Sequence, residues 1–128
     1  MKYQTTFQEL SKIFAIVAKI DTKIENYVHA SGEYTEASEA YYYSLNLAEG
    51  REPRIASDKM CAAYDAREKA RKAMHATFKE FIVAVGLWSS DEYEAQELRK
   101  AAKRDYDPRA FQYMAKKEAI RLSKLVKL

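Results

Sequence analysis

"TFQELSKIFAIVAKIDTKIENYVHASG", residues 6–32, decides the fold. Phe7, Leu10, Ile13, Phe14, Val17, Ile20, Ile24 and Val28 recur at three- and four-residue spacing, the period of an amphipathic helix. Ile16 and Tyr27 widen the apolar arc to nearly half the circumference, which marks the helix as central. Thr6 and Glu9 form a T-x-x-E capping box that satisfies free amides at its start. Gly32 is placed to end it as the residue after the C-cap.

Outward from this stretch the same period predicts four more helices and no strand. A short second helix spans about Thr35 to Ala48. A long third runs from about Pro53, suited to a first helical turn, to Val85 and stops at Gly86. Its stripe is Met60, Ala63, Tyr64, Ala70, Met74, Phe78, Phe81, Ile82 and Val85. The fourth follows "LWSSDEYE" and reaches about Arg104. Ser89 and Glu92 form its capping box, and Trp88 can staple onto Tyr93. The fifth opens at "YDPRAF", with Asp107 as cap, Pro108 at the first position and a Tyr106–Phe111 staple. Its apolar face is Phe111, Met114, Ala115, Ala119, Leu122, Leu125 and Val126. The expected fold is all-α, a single-domain bundle of about five helices over residues 1–128. Helices one and three form a long antiparallel hairpin, and the shorter helices close it.

Composition agrees. Among 128 residues there are three Gly and two Pro, and they fall at apparent helix ends. A single cysteine, Cys61, excludes an intrachain disulfide and suits a reducing compartment. The longest apolar run, "IFAIVA" at 13–18, is too short for a secretory signal or a bilayer span. A cytoplasmic protein without a membrane partner is expected. Net charge is +3, and residues 108–128 carry six Lys/Arg against Glu118 alone.

Some charges fall on apolar arcs: Asp21 on the first helix, Arg67 and Arg71 on the third, Glu118 on the fifth. Two acids and two arginines on facing surfaces predict one ion-pair layer, in which arginine binds carboxylate bidentately. A carboxylate-bridged di-iron site would need E-x-x-H motifs on two helices. His29 and His75 lack a Glu three residues before them, and the Glu25–His29 spacing alone is weak. No metal or cofactor is expected. Cys61 reads as a small buried thiol, not a nucleophile. Phosphate loops, nucleophile elbows and zinc spacings are missing from the sequence, so no catalytic residue stands out and a non-enzymatic role is expected.

Three consecutive tyrosines, Tyr41, Tyr42 and Tyr43, cannot all face one core, because successive helical residues point about 100° apart. Tyr41 shares the core side with Tyr34, Ala37, Leu45 and Ala48. Tyr43, Leu47 and Ala40 form a second strip, with Tyr42 between the two near Glu39 and Glu49. A short helix wedged in a bundle would bury both strips. Otherwise the second strip faces a basic partner, through cation–π and charge contacts.

The basic fifth helix carries Arg109, Lys116, Lys117, Arg121 and Lys124, with Gln112, Tyr113 and Ile120 among them. A solvated face is its commonest meaning. Helix four, the turn "DYD" and helix five are also similar in spacing to a helix-turn-helix, with Arg109, Gln112, Tyr113 and Lys116 in the groove-facing turns. The expected function is therefore binding of another protein, as a regulator or inhibitor, through Glu39, Tyr42, Tyr43 and Leu47. Small helical chains of this kind are common in phages and mobile elements, an association that makes such an origin an expectation. The alternative is nucleic-acid binding through Arg109, Gln112, Tyr113, Lys116, Lys117, Arg121 and Lys124. Self-association is compatible with both.

Overall fold

A computed structural model describes residues 6–47, 52–88 and 90–125; the side chains of 46, 47 and 52 lie outside the description. Among the described residues there are four helices and no strand: α1 (Phe7–Leu47), α2 (Glu52–Ala84), α3 (Tyr93–Ala102) and α4 (Pro108–Ser123). The protein is all-α, as expected, with four helices in place of about five.

The difference lies at Gly32, which does not end a helix. The first two predicted helices are one element of 41 residues. One seam explains the continuity. Leu10, Ile13, Val17, Ile20, Ile24, Tyr27, Ser31, Tyr34, Ser38, Tyr41 and Leu45 alternate three- and four-residue steps without a slip, the heptad spacing of a helix that packs along one partner. Gly32 sits beside this seam and is exposed, and a Cβ built there would meet nothing within 4 Å. Thr35, the expected start of a second helix, instead donates its hydroxyl to the Ser31 carbonyl at 3.0 Å, one turn back. The capping box at the start forms as expected: Thr6 N–H donates to Glu9 Oε1 at 3.1 Å, and Glu9 N–H to Thr6 Oγ1 at 3.0 Å. The Thr6 backbone amide is the main cause that holds the Glu9 carboxyl below its usual range.

α2 carries a matching seam: Pro53, Ala56, Met60, Ala63, Arg67, Ala70, Met74, Thr77, Phe81 and Ala84. It stops where the sequence indicates. Gly86 takes a left-handed φ of 75°. Its N–H donates to the Val83 carbonyl and the Leu87 N–H to the Ile82 carbonyl, both at 3.0 Å, which is a Schellman cap. Asp107 and Pro108 begin α4 as predicted, although the Asp107 side chain makes no capping bond. Glu92 is the N-cap of α3, also without a side-chain cap; Ser89, assigned to that role, lies outside the described residues. Trp88, Tyr93 and Tyr106, assigned to the two staples, are all exposed.

The chain divides into two compact units, Met1–Ile24 with Met74–Leu128, and Glu25–Ala73. The first has a true core: Ile13, Val17, Ile20 and Ile24 of α1, Met74, Phe78, Phe81 and Ile82 of α2, and Phe111 of α4 are buried. Phe78 and Phe111 stack with ring centres 4.1 Å apart, and Phe81 meets Phe111 edge-on at 6.0 Å. The second unit is an antiparallel pair made from the rest of α1 and α2, with Tyr34 against Tyr64. Its seam alternates tyrosine and serine on α1 and is rich in alanine on α2, so little is fully buried beyond Ala30 and Ser44.

On α2 the column beside the seam separates the units in kind. Beside the α2 seam stand Ser57, Tyr64, Arg71, Phe78 and Val85; beside the α1 seam stand Phe14, Asp21, Val28, Thr35 and Tyr42. In the first unit Phe78 and Val85 are buried, and Asp21 receives Gln112 of α4. In the second, Val28, Tyr42 and Tyr64 are exposed. Phe7 and Phe14, expected in the core, are exposed as well; both lie beside the α1 seam, in the first unit.

The two glycines should respond in opposite directions. Gly32→Ala should stabilise the chain by about 0.5–1 kcal/mol in urea denaturation, because alanine is the better residue inside a helix. Gly86→Ala should destabilise it by about 1–2 kcal/mol, the cost of forcing an L side chain into left-handed backbone. A Gly32→Ala variant weaker than the parent would mean that α1 breaks there.

Candidate functional site

The continuous α1 answers where the tyrosines point. Tyr41 lies on the seam and is half-buried, and the Ser44 hydroxyl donates to its carbonyl at 2.7 Å. Tyr42 and Tyr43 are turned outward, 64% and 66% exposed. Glu39 lies three and four residues before them, so the three share one exposed patch. Leu45, expected on the core side with Tyr41, is exposed. Leu47 is helical, but its side chain lies outside the described residues. Nearby, Ala37, Ala40 and Ser44 of α1 and Ile55, Ala56 and Lys59 of α2 line a shallow groove of about 280 Å³. Small residues there leave the helix pair open.

Below this patch the seam is held by aromatic and cationic contacts that sequence reading missed. The Arg67 guanidinium lies over the Tyr34 ring at 4.5 Å and the Tyr64 ring at 5.2 Å, and those rings meet edge-on at 5.7 Å. The signal was present: Tyr34 and Arg67 are seam positions, and arginine stacks on aromatic faces. The Arg67 Nε and the hydroxyls of Ser31 and Ser38 are buried without a hydrogen-bond partner.

The predicted four-residue charge layer is corrected. Each of its members is held by a residue outside the set. Asp21 accepts from Gln112 Nε2 at 2.6 Å and faces Lys116 Nζ at 3.4 Å. Arg71 binds Glu68 through Nε and Nη2, at 3.2 and 2.9 Å. Arg67 stacks on the tyrosines, and Glu118 pairs with Arg121 at 2.6 and 3.0 Å. The Arg71 hydrogen bond lowers the Glu68 pKa, and the Glu118 hydrogen bond raises that of Arg121. Pairs one turn apart on the same helix displaced the expected pairing between helices, because they form without ordering two elements.

The basic helix is less free than its composition suggests. Gln112 and Lys116 are turned toward Asp21 of α1, and Arg121 is bidentate on Glu118. Arg109 reaches Gln112 at 3.3 Å. The turns expected to face a nucleic-acid groove are thus partly engaged within the chain. Arg109, Tyr113, Lys117 and Lys124 remain exposed.

Two further contacts had no signal in the sequence. His75 of α2 hydrogen-bonds Asp105, in the turn before α4, and its ring meets Phe78 edge-on. Lys79 lies over the Trp88 ring at 4.9 Å. Cys61, expected to be buried, is exposed. His29, considered with Glu25, pairs with Glu33 at 3.2 Å. Among the described residues no group of three or more His, Cys, Asp or Glu could hold a metal ion. Nor is any described helix long and apolar enough to cross a membrane.

These features define an all-α protein with one well-packed unit and one open helix pair. No protein-family model, curated protein or solved structure matches the chain.

Arg67→Ala should lower stability by about 1–2 kcal/mol, through lost stacking on two rings and lost stem packing. Arg67→Lys should recover less than half of that, since an ammonium lacks the planar face. Urea denaturation of the full chain decides. Full recovery by lysine would reduce Arg67 to a point charge.

Proposed function

We propose that the chain acts without catalysis, by binding another protein through the open helix pair of the second unit, as a regulator or inhibitor of that partner. One observation carries this: the α2 column beside the seam, stacked on Phe111 of α4 at Phe78, is exposed at Tyr64, and Val28 and Tyr42 of the α1 column are exposed with it. Tyr43 and Leu45 add to the exposed apolar surface. Exposed aromatic anchors with an incomplete core favour a partner that completes the packing. Glu33, Glu36 and Glu39 are exposed on the same stretch of α1, so the partner that fits is one with a basic surface. A cytoplasmic setting goes with this proposal, since a lone cysteine suits a reducing compartment.

The test is a comparison of baits. Wild type, Tyr43→Ala and Tyr42→Ala/Tyr43→Ala chains are immobilised, and a protein retained by wild type is purified and titrated. Tyr43→Ala should leave the melting temperature nearly unchanged and weaken that titration by about 2 kcal/mol or more. Equal retention by all three baits would sink the proposal.

Nucleic acid stands second, favoured by Arg109, Tyr113, Lys117 and Lys124 exposed on one helix. It requires affinity for duplex DNA or RNA that falls steeply with salt and is lost in Lys117→Glu/Lys124→Glu. No binding at low salt would remove it.

A further inference from the structure

In the first unit α3 and α4 form a groove of about 860 Å³. Its floor includes Leu87, Ala95, Leu98 and Met114. At its edges Tyr93, Tyr113 and Ile120 stand 72%, 68% and 52% exposed. The two walls differ in charge. The α3 side carries Glu92, Glu94 and Glu97; the α4 side carries Lys117 and Lys124, with Arg121 already paired to Glu118 beside them. The stripe along α4 that meets solvent is Tyr113, Lys117, Ile120 and Lys124, at four-, three- and four-residue steps, a second helix-packing seam opposite the core seam.

A uniformly acidic or basic ligand would meet repulsion from one wall. A ligand with both charges, set side by side in the opposite order, meets attraction from both. The chain itself is such a ligand. A two-fold axis lying along the groove places the α3 of one copy over the α4 of the other, and the reverse. That operation sets the Glu94 wall against the Lys117 wall twice. α3 and α4 are consecutive, contacting helices joined by a short turn, a connection that favours antiparallel neighbours, and with that course the operation makes every neighbouring helix antiparallel, as in an up-down four-helix bundle. Both contacts then favour the opposed helix dipoles. Tyr93, Tyr113 and Ile120 from each copy would be spread along the seam and supply its apolar contacts.

We infer that the α3–α4 groove is an isologous interface, occupied by the same groove of a second copy of this chain. This does not rest on the protein-binding role of the other unit, and the two surfaces are separable by mutation.

Sedimentation equilibrium of the full chain over a range of concentrations tests it, with circular dichroism to verify folding. The mass should rise from monomer to dimer. Ile120→Asp should leave the helix signal intact, since Ile120 is already half exposed, and hold the chain monomeric. Glu94→Lys and Lys117→Glu, each counted twice across the axis, should each weaken the dimer by about tenfold or more. Glu94→Lys/Lys117→Glu together should restore it to within about threefold of the parent. A monomer at every concentration would overturn the inference. So would a dimer indifferent to Ile120→Asp, a double exchange that fails to restore assembly, or a dimer lost only in Tyr43→Ala.

Discussion

Phe111 lies flat on Phe78, and much of the molecule follows from that contact. Two long helices with matching heptad seams can cover only one stripe of each other. Residues beside the seam need a third element. In the first unit α4 supplies it, and Phe78 becomes fully buried. In the second unit the same column is Ser57, Tyr64 and Arg71, and the facing column is Val28, Thr35 and Tyr42. Most of these residue types accord with partial exposure: hydroxyls, a guanidinium and tyrosines carry polar groups that can stay solvated.

Much of this was legible in the sequence. The helical class, the capping box at Thr6, the stop at Gly86 and the start at Pro108 all depend on bonds between residues at most five apart, which spacing reveals. Gly32 shows where such reasoning fails. A glycine between two apolar periods looks like a stop, and only the phase of the stripes on either side shows otherwise. Tyr27, Ser31 and Tyr34 keep the three- and four-residue steps running through it. The seam contains serine and tyrosine where a search for aliphatic residues sees a gap. Tertiary packing of a continuous register then overrides one unfavourable propensity worth about 1 kcal/mol.

The surfaces were harder to read, for a related reason. Whether Tyr43 is wedged or exposed depends on how many helices lie around it, and that number changed when two predicted helices became one. A single long helix is paired along one seam, so its far side is free. The charges followed the same logic in miniature. Glu68 and Glu118 each took an arginine three residues away on their own helix, leaving Asp21 to receive Gln112 and Lys116 from α4. That last contact spends two residues of the basic face on the fold and reduces what nucleic acid could use.

Tyrosine is the residue that ties the two surfaces together. It packs against the seam at Tyr34 and Tyr41, and stands at the rim at Tyr42, Tyr43, Tyr93 and Tyr113. A phenol can lie in water without driving nonspecific collapse, because its hydroxyl remains solvated. The same ring loses little conformational freedom on becoming buried, having only two side-chain torsions. Leucine in those positions would strengthen any association but would also make each patch prone to aggregation. Glutamates beside each pair, Glu39 near Tyr42 and Tyr43, Glu94 and Glu97 near Tyr93, narrow the set of surfaces that can cover them. A wrong apolar partner would have to desolvate those carboxylates without pairing them, which is costly. On the proposed interfaces, selectivity would therefore come from the charges, and the apolar contact from the rings.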